Sequence, residues 1–446
     1  MGVRFLHTAD IHLGSPLDGL GAQNADLQQD LRKATYAAFR RLIDVAIDDE
    51  VDFVVVAGDL YDRESRSVRA NQFAAEQFAR LDDAGIPVYL VYGNHDPVES
   101  GIEYVDLPDN VHEFSADSAG SVVFDDGERR ACLCGQSYRR KAESRTFHAD
   151  YDPVESDLPT IGLLHTGLDP DNERYVPCDV SDLCGRDAID YWALGHVHAP
   201  NVEHREPTIA YPGIPQGRHI NESGLRGAYL IDLESDGRAD LEFVPTGQIV
   251  WREETVSVGA DDDPEADPPD GVPALRERIE ERLVAVEPDI SSLELDVAVR
   301  DADWSPTGVM CRWILTGRGP GHELLTEDEE TIDLLQSELR SQYDRHSPYV
   351  WTEEIRHRTG PPLPPMEEFD DDPVFEQLDE TVDEIRSNPE TRENLLEERM
   401  GSVCVLDEGD ETERPAYLEI TEADTDRMID RAAELVLDEL RARRVE

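Results

Sequence analysis

Lysine is almost absent from this chain: Lys33 and Lys141 are the only two lysines among 446 residues. In all, 41 basic residues stand against 100 acidic ones, which gives a formal net charge of −59. Such a charge excludes binding of nucleic acid through a bulk positive field, because it would repel a polyanion. Molar salt shortens the Debye length to roughly 3 Å and screens this repulsion. We therefore expect a halophilic source. A disordered acidic protein is the alternative, and the 39% hydrophobic content argues against it.

Paired cysteines and long apolar runs are also missing. The six cysteines are spread along the chain without a C-x2-C pair, which argues against a structural zinc site and favours free thiols. No stretch approaches the ~20 consecutive apolar residues of a membrane span. The N-terminus has no charged segment followed by an apolar one, and Val3–His7 is instead typical of a strand. We expect a cytoplasmic protein with no membrane association.

The length indicates more than one domain. Residues 1–258 alternate β-branched runs with amphipathic helices, which predicts an α/β domain. Residues 259–273 have the composition of an acidic linker. A small α+β module is predicted over 274–358, and 359–446 is predicted to be an acidic, partly helical C-terminal tail with an amphipathic helix at 425–443.

Two helices and five buried strands are predicted in the first domain. The helices span about 30–48 and 69–84, where apolar residues recur at helical spacing. The strands are short apolar runs, namely Val3–Leu6, Asp52–Val56, Pro87–Val91, Thr160–Leu164 and Tyr191–Leu194.

Polar side chains follow each of these five strands. In chain order they are Asp10 and His12, Asp59 and Asp62, Asn94, His95 and Asp96, His165, and His196 and His198. Sites form beyond the carboxyl ends of strands in α/β sheets, so these side chains are expected to surround one cavity. Glycines precede Asp59, Asn94 and His196, and they would allow the backbone to turn sharply there.

The mixture of imidazoles and carboxylates favours Mn, Fe or Zn over calcium, which takes oxygen ligands. Two such ions about 3.5–4 Å apart would need a shared carboxylate and would catalyse phosphoryl transfer. Each motif alone has a simpler explanation: polar surface, a turn, an Asn/Asp loop or a core histidine. Their order along the chain favours the shared metal site.

The five motifs, in this order, resemble those of the calcineurin-like metallophosphoesterases. Segments such as ADIHLGSPL, AGDLYD, VYGNHD and LGHVH resemble the SbcD/meiotic-recombination-eleven branch of DNA double-strand-break repair nucleases, and AYPGIPQGRHINESG resembles its YhaO-type subgroup. The resemblance covers residues 1–250. It implies a β-sandwich flanked by helices, with 274–358 in the place of the family's capping domain.

The resemblance also implies roles for individual residues. One metal would be held by Asp10, His12, Asp59 and His198, and the other by Asp59, Asn94, His165 and His196. Asp59 would bridge two divalent ions, with manganese the family's preferred metal. His95 would contact the scissile phosphate and protonate the leaving oxygen, and Asp96 would orient its imidazole.

Two positions depart from the family pattern, and several alternatives stay open. Some members of the family have histidine at the position of Asp62. The segment Gly213–His219 lacks a serine that many relatives carry. The basic run Arg139, Arg140 and Lys141 is either a DNA contact or an ordinary solvated loop. The implied partners are DNA, an SMC-like coiled-coil ATPase and a second copy of the chain. A phosphatase or cyclic-nucleotide phosphodiesterase, or a non-catalytic scaffold, would share the same fold.

Overall fold

The structure is a computed structural model. It describes residues 2–17, 25–62, 67–100, 106–155, 157–172, 174–259, 269, 271–283, 297–300, 304–326, 329–343 and 348–361, and isolated positions between 373 and 440. The chain forms two compact units. The first comprises Met1–Thr255, Ile279–Ile314 and Ile332–Arg356, and the second Val256–Arg278, Leu315–Thr331 and His357–Glu446. The predicted domain boundaries at 258, 273 and 358 stay predictions.

A seven-stranded sheet carries the first three predicted strands. Its members are β1 (Val3–Thr8), β2 (Phe53–Ala57), β3 (Val88–Val91), β4 (Val111–Glu113), β11 (Gly227–Leu233), β12 (Ala239–Pro245) and β14 (Ala298–Val299). Their order is β14-β12-β11-β1-β2-β3-β4. Strands β1 to β4 are parallel, and β11 pairs antiparallel with both β1 and β12.

A six-stranded sheet carries the other two predicted strands. Its members are β5 (Gly120–Asp125), β6 (Arg130–Gly135), β7 (Thr160–His165), β8 (Tyr191–Gly195), β9 (Asn201–Arg205) and β10 (Thr208–Tyr211). Their order is β5-β6-β7-β8-β10-β9. Strands β6, β7, β8 and β10 are parallel, and the two edge strands are antiparallel to their neighbours.

Alternate side chains of each strand fill different layers, because successive residues of a strand point to opposite faces. Phe5 and Phe53 stack at 5.1 Å between centroids, and Phe5 meets Tyr191 of the other sheet edge-on at 5.4 Å. These rings form the core between the sheets. On the opposite face, Leu6 and Val54 pack against the helices.

Helices α1 (Ala25–Asp48) and α2 (Val68–Asp83) cover the outer face of the seven-stranded sheet. The first starts five residues before its predicted beginning. Ser67 caps the second, since its Oγ accepts a hydrogen bond of 3.2 Å from the Ala70 N–H. The outer face of the six-stranded sheet has its own apolar layer, in which Tyr151 stacks on Trp192.

The remaining elements lie mostly in the C-terminal half. Strands β13 (Ile249–Ser257), β15 (Gly308–Arg318) and β16 (Tyr349–Gly360) form a third sheet, and the other helices are α3 (Val180–Cys184), α4 (Val272–Leu283), α5 (Gly321–Thr326) and α6 (Glu329–Tyr343). The mixed α/β prediction is confirmed. Most of the predicted linker 259–273 and of helix 425–443 lies outside the described residues. In the described part, no helix is both long and apolar enough to cross a membrane.

Candidate metal centre

The structure brings the five strand-end motifs together at the carboxyl ends of β1, β2, β3, β7 and β8. These five strands are divided between two sheets, with β1, β2 and β3 in one and β7 and β8 in the other. The sheets face each other across the aromatic core, so the two sets of strand ends meet over the same edge of the sandwich.

The loops after β1 and β2 are bound to each other through their main chains. The Asp10 N–H donates to Gly58 O and the His12 N–H to Asp59 O, both at 3.0 Å. Asp10, His12 and Asp59 have φ angles of 49°, 43° and 50°. Left-handed backbone at non-glycine residues costs on the order of 1–3 kcal/mol each and clusters at functional sites.

The three glycines serve different purposes. Gly58 has a φ of 95° and supports a turn, as predicted. Neither Gly93 nor Gly195 has a positive φ; both are needed because a Cβ would collide with the site. A Cβ at position 195 would lie 1.9 Å from Ala57 O.

One cluster consists of Asp10, His12 and His198, whose ligand atoms lie within 4.8 Å of one another. The two Nε2 atoms of His12 and His198 are 3.4 Å apart, and His198 Nε2 is 3.8 Å from Asp10 Oδ1. Two nitrogens at this separation can both lie about 2.1 Å from one ion. Asp10 and His12 are fully buried.

A second cluster is built around Asp59, whose carboxylate also lies near His12 of the first cluster. Its Oδ2 is 3.3 Å from His165 Nε2 and 4.0 Å from His12 Nε2. Asn94 Oδ1 is 2.9 Å from His165 Nε2 and 3.1 Å from His196 Nδ1. The structure therefore brings together all seven residues expected to hold metal, with Asp59 between the two groups.

The donor set fits bound cations. Within the described part of the chain, the buried Asp10 Oδ1 has no hydrogen-bond partner. Burial raises the pKa of Asp10, so its carboxylate is costly to bury without a neighbouring positive charge. Burial alone would lower the pKa of His165, but the Asp59 carboxylate raises it to about 9. A cation would relieve both conflicts.

His95 lies beside the metal clusters with its side chain 35% exposed. Its Nδ1 is 3.5 Å from Asp62 Oδ1, and this contact raises the pKa of His95. Asp96, expected to orient the imidazole, makes other contacts: its carboxylate accepts hydrogen bonds from the Gly93 N–H at 2.8 Å and the Tyr61 N–H at 3.1 Å. Asp96 thus holds two strand-end loops together, and Asp62 is the carboxylate at His95.

The basic run lies in the loop after β6. Arg139 pairs with Asp117, and Arg140 Nε lies 2.6 Å from Glu99 Oε2. Arg140 is exposed and Arg139 is partly exposed, and surface pairs of this kind contribute only about 0–1 kcal/mol. The positive charge of Lys141 is close enough to His95 to act against the rise in its pKa.

Sequence reasoning missed the roles of Asp62, Glu222 and Arg218. Asp62 is among the polar side chains that follow the strands, but the sequence did not predict its contact with His95. Glu222 lies in a short 3-10 turn, Ile220–Glu222, within a segment quoted only for its resemblance. Its Oε1 is 2.7 Å from His198 Nδ1. A carboxylate 24 residues after a histidine gives no sequence signal, because only the fold makes them neighbours.

Comparison with known proteins agrees with this geometry. Residues 3–200 match the sequence profile of the calcineurin-like phosphoesterase family. The chain is 37% identical over 259 residues to an uncharacterized metallophosphoesterase, YhaO, of Bacillus subtilis; the match covers 57% of this chain and 63% of that protein.

Two further relatives have names that refer to DNA repair or to nuclease activity. The chain is 30% identical to the DNA double-strand break repair protein Mre11 of Aeropyrum pernix, over 52% of this chain and 58% of that protein. It is 24% identical to a component of the SbcCD nuclease of Bacillus subtilis, over 58% of this chain and 70% of that protein. The chain thus spans about three-fifths of YhaO and of Mre11. The strand-end His and Asp clusters lie within residues 3–200, the segment that matches the calcineurin-like phosphoesterase profile.

Proposed function

We propose that the protein is a manganese-dependent DNA exo/endonuclease of double-strand-break repair. The observation that carries the proposal is the position of Asp59, whose Oδ2 lies 3.3 Å from His165 Nε2 and 4.0 Å from His12 Nε2. A carboxylate between two imidazole groups is what a bridged pair of divalent ions requires. The DNA substrate is supported by relatives named as a break-repair protein and a nuclease.

In this proposal Asp10, His12 and His198 hold one ion, and Asn94, His165 and His196 hold the other. Asp59 is shared between them. Two bound divalent ions supply Lewis-acid stabilisation of negative charge on the phosphoryl oxygens and make water a better nucleophile at neutral pH. Five of these ligands are held by burial, namely Asp10, His12, Asp59, Asn94 and His165, and main-chain hydrogen bonds join the loops after β1 and β2.

His95 is proposed as the residue that protonates the leaving oxygen. Asp62 holds the proton on Nδ1, so the opposite ring nitrogen, Nε2, is the one that faces substrate. Because contact with Asp62 raises the pKa of His95, the imidazolium is present nearer to neutral pH, as a general acid requires. Asp96 acts indirectly, by fixing the loop that carries Asn94 and His95.

The partners and the location follow from the same proposal. We propose action on DNA in a cytoplasm of high salt, together with an SMC-like coiled-coil ATPase, and as a homodimer. Since counterion release contributes little at high salt, Arg139, Arg140 and Lys141 would add local contacts to DNA. Residues 274–358 would act as a cap that guides the DNA.

A calcineurin-like phosphatase or small-molecule phosphodiesterase is the second candidate. The observation that favours it is Asp62, which stands where some family members have histidine. In those members the histidine would contact the phosphate, whereas here Asp62 contacts His95. A site altered in this way could act on smaller esters.

The test is digestion of end-labelled double-stranded DNA in molar KCl with Mn²⁺. Wild type is compared with His95→Ala, with Asp59→Asn, and with the exposed control Asp240→Asn. We expect cleavage by wild type and by the control. His95→Ala should bind Mn²⁺ normally and lose at least ~100-fold in rate, as for a lost general acid, and Asp59→Asn should lose both metal and activity.

The same proteins are assayed on a bis-aryl phosphodiester and an aryl phosphomonoester. Hydrolysis of these small esters without any cutting of DNA would replace the first candidate by the second. Absence of all hydrolysis with two Mn²⁺ bound would contradict both.

A further inference from the structure

The buried carboxylate of Glu222 contacts His198, a proposed metal ligand. The contact is made at the ring nitrogen opposite the one proposed to bind metal. Glu222 is 4% exposed, and its Oε1 lies 2.7 Å from His198 Nδ1. A carboxylate only accepts hydrogen bonds, so at this distance the proton of the neutral imidazole stays on Nδ1. The lone pair is then on Nε2, the atom 3.4 Å from His12 Nε2 and 3.8 Å from Asp10 Oδ1.

Arg218 holds Glu222 in place. Its main-chain N–H donates to Oε2 at 2.7 Å, and its Nη2 donates to Oε1 at 2.8 Å. The Arg218 side chain is only 14% exposed. With these donors and the His198 Nδ1–H, both carboxylate oxygens are engaged, so the buried charge of Glu222 is compensated.

A second arginine fixes the main chain around this contact. Arg226 is 7% exposed. Its Nη1 donates to His198 O at 3.1 Å, its Nε donates to Glu222 O at 3.2 Å, and its Nη2 donates to Ser223 O. The His198 carbonyl also accepts a hydrogen bond from the Ile214 N–H. Both ends of the contact between His198 and Glu222 are therefore tied to one guanidinium.

His165 provides a comparison within the same site. Its Nδ1 lies 2.9 Å from the main-chain carbonyl of Ala57, which likewise leaves Nε2 for the metal. His198 has a carboxylate in that position instead of a carbonyl. A charged acceptor makes the stronger hydrogen bond and increases the basicity of the opposite nitrogen.

We infer that Glu222 is a positioning residue for His198, which sets the proton on Nδ1 and aims Nε2 at the ion shared with Asp10 and His12. Arg218 and Arg226 make this arrangement rigid. The inference rests on the proposed function, since it takes His198 to be a ligand. Glu222 and both arginines lie beyond residue 200, where the family profile ends.

The experiment is a titration of metal-free, full-length protein with Mn²⁺ in molar KCl, followed by electron paramagnetic resonance. Wild type is compared with Glu222→Ala, Glu222→Gln and the control Glu254→Ala. Glu254 is also buried and paired with arginine: its Oε1 lies 2.6 Å from Arg252 Nη2 and its Oε2 3.1 Å from Arg282 Nε. Its loss should reproduce the removal of a buried ion pair without affecting His198.

We expect Glu222→Ala to weaken one of two Mn²⁺ sites by about 10–100-fold, the effect typical of a carboxylate behind a ligating histidine. Glu222→Gln retains an acceptor oxygen and should recover part of the loss. Glu254→Ala should bind like wild type. In ¹⁵N-histidine spectra of the metal-free protein, His198 should carry its proton on Nδ1 in wild type and exchange between tautomers in Glu222→Ala.

The outcomes separate the two proposals. Wild type that takes up fewer than two Mn²⁺ contradicts the proposed metal centre itself. Wild type with two sites and Glu222→Ala with unchanged affinity overturns only the role of Glu222. An equal loss of affinity in Glu254→Ala also overturns it, because the effect would then come from general destabilisation. If Glu222→Ala does not fold, Glu222→Gln and the wild-type spectra decide the matter.

Discussion

Gly93 lies so close to Asp59 that a Cβ at position 93 would be 2.3 Å from Asp59 Oδ1 and 2.8 Å from His165 Nε2. Real Cβ atoms do not approach other atoms this closely. The absence of a side chain at Gly93 is thus a condition for the carboxylate that joins the two clusters.

The first prediction concerns Gly93→Ala. The methyl group would displace the Asp59 carboxylate, and Mn²⁺ affinity should fall by at least ~10-fold, because a misplaced ligand loses much of its contribution. The control is Gly247→Ala, where the nearest atom to the added Cβ is at 3.6 Å, an ordinary contact. Equal Mn²⁺ affinity of the two variants in a titration would show that the site tolerates the methyl group.

The second prediction concerns Asp62→Asn. A general acid works in its protonated form, which exists below its pKa, and Asp62 raises the pKa of His95. Its removal should move the alkaline limb of the pH–rate profile to lower pH and reduce the rate near pH 8 by about 10-fold, less than complete loss of a general acid. The measurement is kcat against pH for an aryl phosphodiester, with Mn²⁺ saturating. An unchanged alkaline limb would separate Asp62 from the proton transfer.

The third prediction concerns the stability of the sandwich in acid. His7 is fully buried between the sheets, where its ring nitrogens lie 2.9 Å from Tyr191 Oη and 3.1 Å from Leu194 O. Burial lowers the pKa of His7 to about 3. The unfolded chain takes up this proton near pH 6.5, so the stabilisation is complete above pH 6.5 and is lost as the pH falls toward 3.

Between pH 7 and pH 4.5, protonation of His7 in the unfolded chain should lower the free energy of unfolding by about 2.5 kcal/mol. Chemical unfolding in molar KCl across that range measures the loss. His7→Gln should have a shallower dependence of stability on pH than wild type. Parallel curves for wild type and His7→Gln would contradict the assignment.

The fourth prediction concerns Lys141, whose charge acts on His95. Lys141→Gln should raise KM for DNA by about 3–10-fold at 0.2 M KCl and by less at 3 M, since salt screens exposed charges. Arg139→Gln is the control, and it should have a smaller effect because Arg139 already pairs with Asp117. Steady-state kinetics at both salt concentrations measure the difference. A larger effect of Arg139→Gln would place the DNA contact at the other end of the run.

Local patterns predicted the strands and helices because they depend on neighbouring residues. The apolar run at Tyr191–Leu194 predicted β8 to within one residue, and the helical spacing over about 30–48 predicted all but the first five residues of α1. The division of the strands between two sheets could not be predicted in this way. A buried parallel strand has the same composition in either sheet, and the aromatic contact of Phe5 with Tyr191 joins residues far apart in sequence.

The candidate site followed from sequence where a motif follows a strand directly. Asp10 and Asp59 meet because the parallel strands β1 and β2 end at the same edge of one sheet. His165 reaches them from the end of β7 in the facing sheet. The sequence did not predict which neighbouring side chains contact the site residues. The resemblance implied that Asp96 orients His95, whereas the loop conformation places Asp62 at its Nδ1 and turns Asp96 toward the Tyr61 N–H.

The division of the site between two sheets also has a consequence for folding. Asp59 and Asn94 belong to one half of the sandwich and His165, His196 and His198 to the other, so neither half alone possesses a complete ligand set. A complete set of ligands should therefore exist only when both sheets have packed together, and partly folded chains should lack metal-dependent activity. In the folded protein each bound cation would have ligands from both sheets, so its removal should weaken the packing between them.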